Sequence, residues 1–551
     1  MPSFNLADLF EIVADAVPDR PALVAGSTRS TYRELDERSN RVAHHLARAG
    51  IGPGDRVALL SHNRAEWLEA QIGAFKLRAV PVNVNYRYTA GELAHVIADS
   101  GSAALVGERS LIARLGPARS ELTGLRHVVV LEDGSGEETP GAVPYEAALA
   151  NAPGSREGLV APGTERSGDD LYLLYTGGTT GLPKGVMWRS EDIFFAAMGG
   201  GNMIGEPVTT PGEVGANALA GGLTILVTAP LMHGAGMWVA WAALTSGGTL
   251  VLWSEPRFTA EGVLALAARE SAQVLVLVGD AMARPIADLL DQAGDDGKTY
   301  DLSALFAIAT GGSITSHAVK QRLQRRIPSL LLILDAVGGS ETGAAGQGIE
   351  PAADGAPRFL TRPDVAVLDE SLRPVAPGSG EVGVFARSGR IPLGYWNDEA
   401  KTAKTFVTDD AGRRWALQGD MARVDEDGNL VLLGRGSLVV NTGGEKVFVE
   451  EVEAALKSHP AVYDALVVGV PDERLGSRVN AVVSVAPERH PDTASPAAGE
   501  TPRLDLDELR EHCRKSLAGY KVPREIHLVP EVRRSPAGKA DYRWARDICA
   551  G

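Results

Sequence analysis

A chain of 551 residues, 44% hydrophobic and 23% charged, is too long for one simple core and has the make-up of a soluble globular protein of two or more domains. Its net charge of −16 disfavours general binding to nucleic acid or to an anionic membrane, so an anionic ligand has to be held by local chemistry. The two cysteines, Cys513 and Cys549, exclude a disulfide framework and a cysteine-based metal centre and suit a cytoplasmic home.

The opening segment MPSFNLADLFEIVADAVPDR has no basic stretch and carries acids through its apolar part, so it reads as a helix and not as a signal peptide. Helix and strand then alternate. A helix around Tyr32–Ala49 precedes a strand at Arg56–Ser61, and a helix at Ala65–Leu77 precedes a strand at Ala79–Val84. Helix Ala90–Asp99 and strand Ala103–Val106 follow. This rhythm predicts an α/β fold of layered, largely parallel sheets. From Val214 to Ser254 no Asp, Glu, Lys or Arg occurs, but Pro230, His233 and repeated glycines interrupt the apolar run. It reads as strand Leu223–Ala229, helix Met237–Leu244 and strand Thr249–Trp253, all buried, and not as a membrane span. Short apolar runs recur at Val274–Val278, Leu305–Ala309 and Leu330–Leu334.

Past Val424 the texture changes. DEDGN (Asp425–Asn429) is a turn between apolar strands, and GRGS, with Arg435, breaks the chain. A helix at Glu450–His459, strands at Ala465–Val470 and Val479–Val485, and a helix at Leu506–Leu517 follow, with a polar, Pro- and Ala-rich loop at Pro487–Pro502. The expected division is a large N-terminal domain of residues 1–434 and a small α+β domain of residues 435–551.

The stretch LLYTGGTTGLPKGV (Leu173–Val186) places glycines, three threonines and Lys184 between two apolar strands. Gly177 and Gly178 let backbone N–H groups turn inward, Thr176, Thr179 and Thr180 add hydroxyl donors, and Lys184 adds charge, a combination suited to a polyphosphate. It is not a Walker A loop, since Pro183 precedes the lysine and no Ser or Thr follows it. The plain alternative is a flexible Gly/Thr hairpin.

TGGTTGLPKG resembles the phosphate loop of the adenylate-forming enzymes: acyl-CoA synthetases, luciferases and peptide-synthetase adenylation domains. Further segments match in family order over nearly the whole chain: PLMHGAG (Pro230–Gly236), AVGGSETG (Ala336–Gly343), QGD (Gln418–Asp420) with GR (Gly434–Arg435), NTGGEKVFVEEVE (Asn441–Glu453) and SPAGKADY (Ser535–Tyr542). The wording PKGVMWR, VGDAMARP and IPLGYW is most similar to bacterial fatty-acyl and steroid-acyl CoA synthetases. The resemblance implies ATP-dependent activation of a carboxylic acid as an acyl-adenylate, release of pyrophosphate, and transfer to CoA, with Mg2+ as the metal.

By this resemblance Glu341 holds the magnesium, a single carboxylate sharing the ion with phosphates. Ser340 donates to the α-phosphate, and Asp420 and Arg435 bind the ribose. Gly312, Asp335, Ala336, Val337 and Gly338 lie about the nucleotide, with Val337 where relatives carry an aromatic that stacks on adenine. His233, Gly234, Trp238, Gly311 and Gly339 line the acyl pocket, and the small residues there leave room for a bulky or ring-bearing acid. Gly443 and Gly444 line the approach of the CoA arm. Lys539 meets the carboxylate and the α-phosphate, and Ser437 is the hinge about which the small domain swings. The implied partner is a small-molecule carboxylic acid or related oxyanion, with no nucleic acid, no integral membrane segment, and a homodimer as one assembly open to it. Alternatives with the same motifs are a relative that activates nitrite and joins it to an aromatic amine (a diazotase), one that adenylates an acid for an acceptor other than CoA, and a luciferase-type oxidation. A peptide-synthetase domain is disfavoured, because His233-Gly-Ala-Gly stands where an Asp for the substrate ammonium is needed.

Overall fold

A computed structural model describes residues 2–160, 163–177, 182–203, 205–296, 300–313, 315–352, 356–442, 445–472, 475–485, 504–534 and 540–550, without the side chains of 293–296, 435, 437 and 446. Local chemistry sets many element boundaries. Asn5 caps the helix Leu6–Ala16 by accepting from the Ala7 N–H at 2.8 Å. Thr31 with Glu34, and Thr89 with Glu92, form capping boxes that start the helices Tyr32–Arg48 and Ala90–Ser100. The second of these stops at Gly101, whose φ of 59° is left-handed.

Among the described residues the strands form sheets of 14, 8, 3 and 2. In the largest, the strands Pro21–Ala25, Thr249–Leu252, Thr224–Val227, Val274–Leu277, Ala307–Gly311 and Leu332–Gly339 run parallel in that spatial order. Beyond Leu332–Gly339 the sheet turns antiparallel through Gly343–Ile349, Arg358–Leu360, Leu430–Arg435, Arg414–Val424, Gly383–Ser388 and Val365–Leu368. The expected parallel character therefore holds for one half of this sheet only. The second sheet centres on parallel strands Leu171–Thr176, Val80–Asn83, Arg56–Leu60, Ser102–Glu108 and His127–Leu131, with Lys184–Arg189 antiparallel at one side.

Both faces of the second sheet are buried. Val57 and Leu59 face a core shared with the large sheet through the helices Leu6–Ala16, Tyr32–Arg48, Ala65–Lys76 and Gly234–Thr245, and Ala58 and Leu60 face a second core. That double burial is why Val57–Leu60 (VALL) is continuously apolar instead of alternating. The helix Gly234–Thr245 has only 12 residues and is buried almost all round, as the uncharged segment predicts. No described helix is long and apolar enough to cross a membrane. A buried ion cluster ties three helices together: Lys76, with no exposed surface, reaches Glu11 at 2.9 Å and Asp36 and Asn40 at 2.6 Å.

Two expectations need correction. The strand predicted at Leu330–Leu334 runs from Leu332 to Gly339 and is half-exposed: Leu331 and Leu332 at its start are 75% and 38% exposed, and its far end, Ala336–Gly339, borders a cleft where the sheet changes direction. The strand predicted at Leu305–Ala309 is shifted to Ala307–Gly311, so its last residues reach that same cleft. Among the described residues, those after 435 join neither large sheet; their strands Val440–Thr442, Glu445–Val447, Val462–Asp472, Gly476–Val485 and Glu525–Val529 build their own sheets over two apolar clusters.

Candidate active site

The strands Leu171–Thr176, Val274–Leu277, Ala307–Gly311 and Leu332–Gly339 all end at one cleft of about 280 Å³. A crevice at the carboxyl ends of sheet strands is where α/β proteins bind ligands. Of the residues singled out by sequence, Thr176, His233, Gly234, Trp238, Gly311, Gly312, Ala336, Val337, Gly338, Gly339, Ser340 and Glu341 line it. Gly177 follows directly on Thr176. Asp420 and Arg435 are cross-strand partners in adjacent antiparallel strands, so the two motifs QGD and GR meet side by side. Gly178, Thr179, Thr180, Gly443, Gly444 and Lys539 lie outside the described residues, as does the Ser437 side chain. The Ser437 backbone sits in a single 3-10 turn, Gly436–Leu438, after the last strand of the large sheet.

Glu341 occupies the turn between Leu332–Gly339 and Gly343–Ile349. Its Oε1 accepts from the Tyr395 hydroxyl at 2.7 Å and its Oε2 from Gln418 Nε2 at 3.2 Å. Burial, reinforced by the Glu341 carboxylate, pushes the Tyr395 phenol well up, so it stays a proton donor. Gln418 is oriented by Thr342, whose hydroxyl donates to its Oε1 at 3.1 Å. The turn is held from behind as well: Trp188 Nε1 donates to the Ser340 carbonyl at 2.9 Å, and the buried Arg387 donates to the carbonyls of Ala196 and Ala344 at 3.1 Å and to that of Thr342. No group of three or more His, Cys, Asp or Glu side chains among the described residues makes a protein-only metal cage. One carboxylate, oriented by neutral donors and open to a cleft, instead fits a magnesium ion that takes its remaining ligands from phosphates and water. Lone pairs on both carboxylate oxygens remain for such an ion.

The loops around the cleft are fixed by two buried asparagines at the ends of neighbouring parallel strands. Asn83 accepts from the Tyr175 N–H at 2.7 Å and donates to the Tyr175 carbonyl at 3.3 Å and to the Met232 carbonyl. It thus joins the strand entering the Gly/Thr loop to the residue before His233. Asn63 accepts from the Leu231 N–H at 2.8 Å and donates to the Ala229 carbonyl at 3.1 Å. His233 is the N-cap residue of the helix Gly234–Thr245 and is half-buried on the cleft wall. Lys184 pairs with Asp398, whose carboxyl is held below its usual range by the lysine's hydrogen bond. Its charge is therefore shared between the loop and the helix Glu399–Thr405. Asp335 is likewise shared, bound by Thr310 and Lys320.

Sequence reasoning read the cleft glycines as space, and packing gives a second reason. A Cβ on Gly339 would lie 1.7 Å from Gln418 Nε2, and one on Gly338 1.9 Å from the Gly343 carbonyl oxygen. One on Gly234 would lie 2.7 Å from the Trp238 ring. Gly338 and Gly339 thus let protein groups close up around the Glu341 turn, and Gly234 lets the Trp238 ring lie against the start of its own helix. The apolar wall comes from Trp238, Val239, Val276, Val278, Ala197 and Ala309. Tyr395, Asn83, Asn63 and Asp398 were missed as site residues. The signals in the sequence were the segment IPLGYW and, for the asparagines, their place just after the apolar runs Val57–Leu60 and Val80–Val82.

The chain matches two family models, that of the AMP-binding enzyme over residues 10–396 and that of the AMP-binding enzyme C-terminal domain over residues 451–539. It is 44% identical to the 3-oxocholest-4-en-26-oate–CoA ligase of Rhodococcus rhodochrous over 99% of this chain and 96% of that protein. It is also 44% identical to the medium/long-chain-fatty-acid–CoA/3-oxocholest-4-en-26-oate–CoA ligase of Mycolicibacterium smegmatis, with the same coverage. A solved anthranilate CoA ligase in complex with anthranoyl-AMP superposes with a TM-score of 0.82 at 23% identity, covering 100% of this chain and 98% of that one, a likeness of fold. These relatives lend the nitrite-activating alternative no support. With a cleft at the strand ends, one carboxylate suited to magnesium and matches along its full length, the chain belongs to the AMP-binding enzyme family and is an AMP-forming acid–CoA ligase.

Proposed function

We propose that the acid activated in this cleft is a hydrophobic one, a medium- or long-chain fatty acid or the side-chain carboxylate of a steroid. The observation that carries this reading is the meeting, in one cleft, of the Glu341 turn with an apolar wall of Trp238, Val239, Val276 and Val278. Relatives 44% identical over 99% of the chain, named for such acids, support it.

In the first half-reaction a carboxylate oxygen attacks the α-phosphorus of ATP, the bond to the β-phosphate oxygen breaks, and pyrophosphate leaves with that electron pair. In the second, the CoA thiolate attacks the acyl carbon, the acyl C–O bond breaks, and AMP departs. The thiol proton goes to solvent. In both, charge builds on oxygen, so the protein contributes chiefly by positioning and electrostatics. Magnesium, when bound, neutralises phosphate charge. Glu341 is its protein ligand, oriented by Tyr395 and Gln418. Thr176 and the Gly/Thr loop hold phosphates. Asp420 binds the ribose hydroxyls, and Asp335, oriented by Lys320 and Thr310, faces the base. Val337 supplies an aliphatic platform under the adenine. The large domain is residues 1–434. The small domain, residues 435–551, carries Lys539 and turns about Ser437 between the half-reactions, so that Lys539 serves adenylation and the Gly443–Gly444 face serves CoA.

Acid-dependent ATP–pyrophosphate exchange tests this directly, with dodecanoate and 3-oxocholest-4-en-26-oate as the acids. Exchange with either acid is expected, with loss of at least about a hundredfold in Lys539→Ala. Exchange unchanged in that variant removes Lys539 from the chemistry, and no exchange with either acid rejects the proposed substrate class.

A further inference from the structure

Tyr463, the second residue of the strand Val462–Asp472, turns away from its own sheet toward the helix Gly279–Asp296. The Arg284 guanidinium stands over its ring, 5.0 Å from the centroid, and its hydroxyl donates to Asp288 Oδ2 at 3.5 Å. Arg284 and Asp288 lie one turn apart on that helix. Each is held in place from its own side. Asp280 accepts from Arg284 at 2.9 Å and from the Ser316 N–H at 2.8 Å, and Asp288 accepts from Arg322 at 2.6 Å. The helix begins directly after Val278, and Ser316 lies four residues beyond Gly312; both Val278 and Gly312 line the cleft. The docking face therefore stands on the two chain segments that leave the active site.

On the other side, Asp464 follows Tyr463 and binds Arg534 through both carboxylate oxygens, at 2.6 and 2.9 Å. Arg534 in turn forms an antiparallel bridge with Ala540. The two flanks of the segment 535–539 are thus tied to the corner of the small domain that touches the large one.

We propose that Tyr463, Arg284 and Asp288 form a latch that docks the small domain in its adenylating orientation and releases it for CoA transfer. The proposal rests on the reading above, in which Lys539 serves only the first half-reaction. The chemistry suits a latch. A cation over a half-buried tyrosine shifts an equilibrium by a factor of about 3 to 10, enough to favour the docked state without trapping it. Tyr463 is then a positioning residue that acts through Lys539.

The experiment compares the two half-reactions in full-length Tyr463→Ala and Arg284→Ala. Dodecanoate-dependent ATP–pyrophosphate exchange is expected to fall about 3- to 10-fold in each, and the double variant to be no worse than the single ones. Transfer from synthetic dodecanoyl-AMP to CoA is expected to hold or to rise. Tyr463→Phe, which keeps the ring, should retain at least about half of the exchange. Equal loss in both half-reactions, loss confined to CoA transfer, or no loss in either overturns the latch. A readout independent of activity is amide hydrogen exchange in the helix 279–296, which should quicken in Tyr463→Ala; an unchanged pattern also overturns it. Failure of the wild-type protein to exchange pyrophosphate with dodecanoate bears on the substrate class instead, and the hydrogen-exchange comparison then decides the latch alone.

Discussion

At the scale of single residues, the chemistry of the cleft turns on keeping one carboxylate oriented without a cationic partner among the described residues. Glu341 achieves this with neutral donors. A lysine in place of Tyr395 would compete with the metal, whereas a phenol fixes the carboxylate and leaves its charge for the ion. Tyr395→Phe should therefore lower the rate of adenylation by about tenfold, the worth of a hydrogen bond to a charged group, and raise the magnesium concentration needed for half-maximal rate. Titrating magnesium in the pyrophosphate-exchange assay checks both; an unchanged metal requirement would separate Tyr395 from the site. Glu341 was legible because its motif is local and unusual. Tyr395 and Gln418 were not read as its partners, since they lie 54 and 77 residues away in sequence and reach the turn from different sheets, Tyr395 on the short strand Gly394–Tyr395 at the edge of the second sheet and Gln418 on the antiparallel half of the large one.

Among the elements, the helix–strand alternation of the first hundred residues was readable because most of the strands are short, mainly apolar runs and the helices Leu6–Ala16, Tyr32–Arg48 and Ala90–Ser100 carry side-chain caps. Of the antiparallel strands between Gly343 and Arg435, the pair flanking the DEDGN turn was readable and the others escaped, since Gly- and Pro-rich sequence there shows neither period clearly. The ion cluster that fastens three helices was equally invisible, because Lys76, Glu11 and Asp36 come from three separate amphipathic patterns in which each charge reads as solvated. Burial on its own raises the Glu11 carboxyl, but Lys76 and Arg166 outweigh it and hold the group down at about 2, against an ordinary 4.5. A carboxyl depressed in the folded state stabilises the fold above pH 4.5, and that contribution drains away as pH falls from 4.5 toward 2. Glu11→Gln should thus lose about 3 kcal/mol at pH 7, leaving a buried cation less well matched, and should show a flatter fall in stability between pH 4.5 and 2 than the parent. Urea midpoints measured at pH 7, 4 and 3 decide it; parallel curves for the two proteins would mean the carboxylate is not linked to folding.

For the whole molecule, the proposed mechanism requires a small domain that holds together while it moves. The apolar clusters bear on this. Two of them, one around Val452, Val467 and Val483 and one around Leu466, Val482 and Ala545, are built only from residues between 438 and 549. A smaller cluster joins Phe448 to Ala356, Val431 and Leu433 across the division, and Tyr463 adds its contact with Arg284. A core that is complete in itself, with a narrow apolar seam to its neighbour, unfolds as its own cooperative unit. Scanning calorimetry should accordingly resolve two transitions. A ligand that binds only the folded large domain stabilises that domain alone, by about 2.7 kcal/mol at a hundred times its dissociation constant, which for a unit of this size is a rise of about 3 °C. Magnesium and ATP, whose proposed contacts lie in the large domain apart from Arg435 and Lys539, should therefore raise one transition clearly and the other much less. If instead both transitions merge into one and rise together with ATP, the two parts are energetically a single body, and a reaction that depends on turning one against the other would have to break that body at every turnover.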